Sequence, residues 1–321
     1  MIFIIYAILA IAVITFSIKV TNYVEFLDKK TNISGAFIGG VILAAVTSLP
    51  ELFTSISAVV ILGNPELVMG NILGSNIFNL FTLSVVAIIF LKAFIADKIG
   101  RNHFTTSIFV FFANIILFIP VYFSKDFTLF NISIISIVIS IFYFFSLKFM
   151  ANDTVDSNDE EDTCKLSIKQ ICIRFILVSI LLVIASILIT YVTEIISDKL
   201  NLAASLSGAL FLGIATSLPE VTSVVALARK SKFNLAVGNI IGSNMFNLFI
   251  ISIADFLYFG KSLYLTQVIQ TKILLGFGFI STIFASILLI FKNVNIKNKL
   301  VYLILNLVII IIYLAYLILS L

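Results

Sequence analysis

Two glutamates stand out by their surroundings. The chain has 16 Asp+Glu, most of them in polar stretches or near the ends of apolar runs. Only Glu51 and Glu220 lie in the middle of such runs. A carboxylate in hydrocarbon costs about 3 kcal/mol or more, so one kept there marks an ion pathway or a bound cation. A structural pairing with Lys or Arg is the first alternative, but no basic residue falls in the core of any apolar run. A pair of permanently protonated, purely structural carboxyls is the second. Each glutamate follows a proline, Pro50 or Pro219. Proline has no N–H, so the carbonyls four residues earlier, on Val46 and Ala215, lose their helical donors. Broken helices survive at membrane depth only when buried in protein or lining a cavity. Freed carbonyls, with the Thr47, Ser48, Thr216 and Ser217 hydroxyls, offer neutral oxygens, the ligand type that hard cations such as Ca²⁺ and Na⁺ take.

A second block lies downstream. Ser75 and Asn79 share one helical face, as do Ser243 and Asn247, because residues four apart are neighbours on a helix. They are candidate cation ligands, with interhelical hydrogen bonding as the alternative. Asn71, Asn76, Asn239 and Asn244 divide evenly between the same two readings. Gly70, Gly74, Gly238 and Gly242 form two pairs of small residues four apart, a spacing that favours close helix packing.

Both blocks occur twice. Thr47-Ser48-Leu49-Pro50-Glu51 returns as Thr216-Ser217-Leu218-Pro219-Glu220, and Gly70–Phe81 returns as Gly238–Phe249 with 10 of 12 positions identical. The offsets are 169 and 168 residues.

The elements that carry these blocks follow from composition. The 321 residues are 61% hydrophobic and 11% charged, with a mean hydropathy of +1.21. A soluble domain carries about a quarter charged residues, so this is an integral membrane protein. The net charge of +4 is scattered and gives no nucleic-acid surface. Cys164 and Cys172 have no CxxC spacing, which excludes a disulfide scaffold or cysteine zinc site, and they are expected to be reduced and inert. Spanning a bilayer takes about 20 apolar residues. Ten such runs are expected: Ile2–Ser17, Gly35–Leu62, Leu67–Leu91, Phe104–Phe123, Phe127–Leu147, Ile171–Thr193, Ala203–Ala228, Phe233–Phe259, Ile273–Phe291 and Leu300–Leu321. The Met1 end lacks a basic n-region and reads as the first span rather than a signal peptide. The runs are too long and too uniformly apolar for a β-barrel.

Of the 20 Lys+Arg, only Lys125, Lys199, Lys261 and Lys272 fall in even-numbered loops, which leaves sixteen at the odd ones. Basic residues stay cytoplasmic. Odd loops are therefore expected inside, both termini outside, and the protein in the plasma membrane. Five spans per half is an odd number, so the second half enters from the opposite face. The expected fold is all-α and polytopic: two inverted five-helix repeats, with a site near the midplane between them. Residues 1–150 form the first repeat, 151–168 an acidic cytoplasmic linker and 169–321 the second repeat. The linker, with six acids from Asp153 to Asp162, lacks an EF-hand's glycine and spacing and reads as solvated chain. Glu194, Asp198 and Asp255 are expected to be solvated at span ends.

At the repeated blocks the sequence resembles the Ca²⁺/cation antiporter superfamily, on the branch of sodium/calcium exchangers and their prokaryotic relatives. TSLPE paired with GNxxGSNxFN, found twice, carries the resemblance; the cation/proton branch typically has a GNAxE-like motif instead. The resemblance implies four coordinating positions in a diamond, Glu51, Glu220, Asn79 and Asn247. Thr47, Ser48, Ser75, Thr216, Ser217 and Ser243 match positions in or beside the sodium sites, and the Ala44 and Gly213 carbonyls are implied as well. It also implies that the first and sixth spans slide against the remaining bundle. Two departures stand out: Val46 and Ala215 occupy positions where many relatives have Gly, and Asn247 stands where some, potassium-dependent exchangers among them, have Asp. The amide argues against a potassium requirement and limits the site's charge to −2.

The expected activity is Ca²⁺/Na⁺ antiport. Ca²⁺/H⁺ or other cation antiport is the alternative, and a passive channel a more distant one. No cofactor and no obligatory protein partner are expected beyond the transported cations and the bilayer. The lone His103, expected in a cytoplasmic loop, has no nucleophile–base partner, so an enzyme is not expected.

Overall fold

The computed structural model describes residues 2–31, 33–129, 132–151, 165–199, 215–259, 262–265 and 269–320. Apolar runs with no water to satisfy their backbone close into helices. In chain order these are α1 (Ile2–Lys30), α2 (Gly35–Phe37), a π-helical segment Ile38–Leu43, α3 (Ala44–Thr47), α4 (Leu49–Val60), α5 (Pro65–Ile89), α6 (Leu91–Ala96), α7 (Arg101–Phe123), α8 (Ile134–Ala151), α9 (Ile168–Lys199), α10 (Leu218–Arg229), α11 (Phe233–Leu257), α12 (Ile269–Asn293) and α13 (Lys299–Ser320). Eight of the described helices are long and apolar enough to cross a bilayer, and the bent pair Gly35–Thr47 and Leu49–Val60 adds a ninth crossing. The tenth span is described from Ala215 onward, where α10 opens on the same Leu-Pro-Glu as α4.

The bundle sorts its helices by polarity. α5 and α11 carry the repeated polar block and are the most enclosed, with 67% and 72% of their spanning windows buried. α1 and α13 have 11% and 22% buried, and their exposed Ile and Leu side chains face where lipid would be. Polar side chains in a bilayer must find protein partners, so the helices that carry them go to the centre. α11 packs on the π-helical segment, α4, α5, α7 and α8, whereas α1 packs mainly along α9.

Several boundaries differ from expectation. α1 continues past Ser17 to Lys30, so most of the first loop is helical. The third span stops at Phe90, and the short α6 follows. The segment expected to open the fifth span instead forms a hairpin, β1 (Thr128–Leu129) paired antiparallel with β2 (Ile132–Ser133). Polar anchors explain this. The Ser133 N–H donates to Asp255 Oδ2 at 3.1 Å and its hydroxyl to Asp126 Oδ1 at 2.6 Å. Asp255 is correspondingly buried rather than solvated: Ser136 Oγ donates to it at 2.6 Å. Glu194 is exposed, as expected, whereas the Asp198 side chain, Cys164 and the acidic stretch 153–162 lie outside the described residues.

His103 is not in a loop. It sits in the first turn of α7, fully buried, with Nε2 2.9 Å from Asn234 Oδ1. Room for its ring comes from Gly238, where a Cβ would stand 2.8 Å from His103 Cε1. Gly242 permits a tighter approach still: a Cβ there would run into the Gly40 backbone carbonyl. The second-repeat glycines therefore serve packing, letting α11 press against the π-helical backbone. Gly242→Ala is expected to destabilise the protein by about 1–3 kcal/mol through overpacking. Gly276→Ala, whose Cβ would meet only Tyr122 Oη at 3.5 Å, is expected to be near neutral. Thermal unfolding of the two variants in detergent, side by side, checks this.

Candidate cation-binding site

The site begins at two helix breaks. Ser48 (φ −94°, ψ 6°) separates α3 from α4, and Ser217 (φ −87°, ψ 9°) precedes α10. The two halves at Ser48 meet at 45°. Pro50 and Pro219 fall at the second helical position, where a missing N–H costs nothing. Each glutamate therefore sits in the first turn of a new helix inside the protein, where the N-terminal backbone field favours negative charge. Both are almost wholly buried, each 1% exposed.

The hydroxyls link the repeats crosswise. Ser48 Oγ donates to Glu220 Oε1 at 3.1 Å. Ser217 Oγ donates to Ser75 Oγ at 3.4 Å, which in turn donates to Glu51 Oε1 at 3.5 Å. Each break serine is thus tied to the carboxylate of the opposite repeat. Thr47 Oγ1 lies 3.3 Å from the Ala44 carbonyl, 3.3 Å from Asn239 Oδ1 and 3.5 Å from Ser243 Oγ. Ser243 Oγ is also 3.5 Å from the Ala44 carbonyl. Thr216 is buried at the second break.

Four asparagines join α5 to α11. Asn79 Nδ2 donates to Asn244 Oδ1 at 3.0 Å, and Asn247 Nδ2 to Asn76 Oδ1 at 2.9 Å. Asn76 and Asn244 each donate to the other's backbone carbonyl, at 3.2 and 3.1 Å. Within the two repeated blocks, four buried oxygens have no hydrogen-bond partner among the described residues, Glu51 Oε2, Glu220 Oε2, Asn79 Oδ1 and Asn247 Oδ1, beside one nitrogen, Asn239 Nδ2. The oxygens belong to the four side chains singled out as a diamond. No described Lys, Arg or His donates to either glutamate; the ion pairs among described residues that involve Glu25 lie elsewhere, with Lys29 and Lys230.

Of the sequence-predicted set, the structure joins Ser48 to Glu220, and Ser217 through Ser75 to Glu51; it places Asn79 and Asn247 in the asparagine cluster and Thr47 and Ser243 beside the Ala44 carbonyl. Gly213 lies outside the described residues. Sequence reasoning left the parts of Asn76, Asn244 and Asn239 undecided. Their signal was available: Asn76 and Asn79 are three apart, on one helical face, and the pair recurs intact as Asn244 and Asn247.

Two duplicated halves meeting at broken helices, with partnerless oxygens enclosed between them, define a membrane transport protein of the inverted-repeat class. Residues 1–151 and 171–321 match the sodium/calcium exchanger protein family. The chain belongs to that family and is a multi-pass membrane cation antiporter. It is 29% identical over 230 residues to an uncharacterized membrane protein of Methanocaldococcus jannaschii, covering 69% of this chain and 70% of the relative. It is 23% identical over 240 residues to the inner membrane protein YrbG of Escherichia coli, covering 71% and 70%. The fold is that of the sodium-calcium exchanger NCX_Mj. The structure soaked with 2.5 mM Na⁺ and 0.1 mM Sr²⁺ aligns over 100% of both chains with TM-score 0.76 at 20% identity. The structure soaked with 2.5 mM Na⁺ and 0.1 mM Ca²⁺ gives TM-score 0.69 at 21% identity over 94% of this chain and 95% of that one.

Ser48→Ala removes a donor from a buried carboxylate. A hydrogen bond to a charged group is worth about 1.5–3 kcal/mol, so cation transport in proteoliposomes is expected to fall by roughly tenfold or more. Wild-type flux in this variant would remove Ser48 from the site.

Proposed function

We propose that the protein is a secondary active antiporter that exchanges Ca²⁺ for Na⁺ by alternating access, at a midplane site built on Glu51 and Glu220. The observation that carries this reading is the set of four buried oxygens without protein partners, two carboxylate and two amide, contributed equally by the two repeats. An unpaired buried acceptor costs about 1–3 kcal/mol, and four together ask for a ligand that only accepts lone pairs. A hard cation is such a ligand, and oxygen is what it binds. Thr47, Ser75, Thr216, Ser243 and the Ala44 carbonyl supply neutral oxygens around it. The Gly213 carbonyl joins them by its repeat relation to Ala44.

Exchange follows from charge. With both glutamates ionised the pocket carries −2. One Ca²⁺ neutralises it, and so do Na⁺ ions spread over the same oxygens. The two loads exclude each other because they share the carboxylates. An empty pocket would move two uncompensated charges through a low-dielectric passage, at a cost of several kcal/mol per charge, so only loaded forms cross. The apolar α1–α9 pair is the element we assign to slide against the polar bundle. The basic residues at odd loops support a plasma-membrane orientation with termini outside and the acidic linker, residues 151–168, in the cytoplasm between the two repeats.

Glu51→Gln and Glu220→Gln each keep the side-chain shape and delete a charge. Uptake of ⁴⁵Ca²⁺ driven by an outward Na⁺ gradient is expected to fall by about a hundredfold or more, as loss of roughly 3 kcal/mol implies. Near-normal Na⁺-driven uptake in either variant overturns the site. Wild-type uptake driven by an outward H⁺ gradient but not by Na⁺ would replace Na⁺ with H⁺ as the counter-ion. Orientation is checked by single cysteines at position 320 and position 232 in a cysteine-free background. The first should react with an impermeant maleimide from outside intact cells and the second should not.

A further inference from the structure

Every cation ligand must aim an oxygen, and an asparagine side chain presents oxygen or nitrogen with equal ease. What decides the orientation of Asn79 and Asn247 is visible in the crossing of α5 and α11. Asn76 and Asn244 are both buried, and each places its Nδ2 against the other's backbone carbonyl, at 3.2 and 3.1 Å. A carbonyl oxygen can only accept. The atom facing it must therefore be the amide nitrogen, which fixes both side chains. The opposite atom of each is then Oδ1, again only an acceptor. Asn247 and Asn79 meet these atoms at 2.9 and 3.0 Å and must present nitrogen to them. Their own Oδ1 atoms are turned the other way, buried and without a partner.

We propose that Asn76 and Asn244 are positioning residues: through their side-chain oxygens they hold the amides of Asn247 and Asn79 so that both present oxygen to the transported cation. This rests on the cation site proposed above. The chain of donors starts from backbone carbonyls, so it resists rotation of any single amide. The pairing is crossed between repeats, Asn76 with Asn247 and Asn244 with Asn79. A simple clamp between two helices would not distinguish one partner from the other.

That crossing gives the test. Equilibrium ⁴⁵Ca²⁺ binding to the purified protein in detergent is measured for the wild type, Asn76→Ala, Asn79→Ala, Asn247→Ala and the two doubles that contain Asn76→Ala. Loss of an orienting partner typically weakens metal binding by about 10–100-fold, so Asn76→Ala is expected to bind roughly tenfold more weakly. In the Asn247→Ala background, where nothing remains to orient, the same change should add less than about twofold. In the Asn79→Ala background it should again cost roughly tenfold. Equal further losses in both backgrounds would mean that Asn76 only clamps the crossing, and no loss in the single variant would also overturn the assignment. Absence of Ca²⁺ binding by the wild type overturns the cation site itself, and this assignment with it. If Asn76→Ala does not elute as a folded species on gel filtration, Asn76→Ser takes its place, since its hydroxyl is too short to reach Asn247.

Discussion

A bilayer's interior offers no water, so each buried polar atom must be satisfied by protein or by something the protein carries. That constraint organises the molecule. Around the centre of the bundle nearly every hydroxyl and amide nitrogen in the repeated blocks is directed at a named acceptor: Ser48 at Glu220, Ser75 at Glu51, Asn79 and Asn247 at each other's neighbours. What remains unpartnered in those blocks, among the described residues, is four acceptor oxygens, two carboxylate and two amide, against one amide nitrogen, that of Asn239. A surplus of one kind of group is informative in a way that scattered unpaired atoms are not. On the function proposed above, that surplus is taken up by a cation, which needs no hydrogen to bond.

The rest of the fold serves that surplus. Proline beside each glutamate costs little because it falls in the first turn of a helix that starts anew after a serine break. The break puts a helix N-terminus, with its partial positive charge, behind each carboxylate. Glycines at 238 and 242 bring α11 against the π-helical backbone closely enough that any side chain there would collide. The polar centre is thereby sealed by backbone packing on one side. The apolar helices stand outside it: α1 packs mainly along α9 and is tied to the second repeat where Lys230 Nζ donates to Glu25 Oε2 at 2.6 Å and to Asn22 Oδ1 at 2.7 Å.

Much of this was legible in the sequence. The paired blocks, the prolines and the two mid-span acids are visible as letters, and inversion follows from counting five spans per half. Span boundaries were less legible. Hydropathy registers apolar content and not backbone direction, so Phe127–Ser133 read as helix although Asp126 and Asp255 hold it as a hairpin. Charge alone placed His103 in a loop. Its burial depends on a cavity opened by Gly238, 135 residues away in the chain. The functions of Asn76 and Asn244 were undecided for a similar reason. A helical wheel shows that they share a face with Asn79 and Asn247, but only the crossing of α5 and α11 shows which amide touches which.

The asparagine network also bears on how much charge the site can hold. Position 247 faces Asn76 Oδ1 at 2.9 Å, an atom that only accepts and that is held toward position 247 because the Asn76 nitrogen is committed to the Asn244 carbonyl. A side chain at 247 must therefore bring a hydrogen. Asparagine does. An ionised aspartate would oppose acceptor to acceptor in a medium too dry to screen them, and would have to bind a proton or force Asn76 to release its carbonyl. With asparagine in place, the neutral pair Asn79 and Asn247 can add oxygens to a cation without adding charge. On the reading proposed here, the pocket then carries the charge of Glu51 and Glu220 and no more, which matches one divalent ion. The same amide geometry that aims the oxygens thus keeps the pocket's charge equal and opposite to that of its cargo.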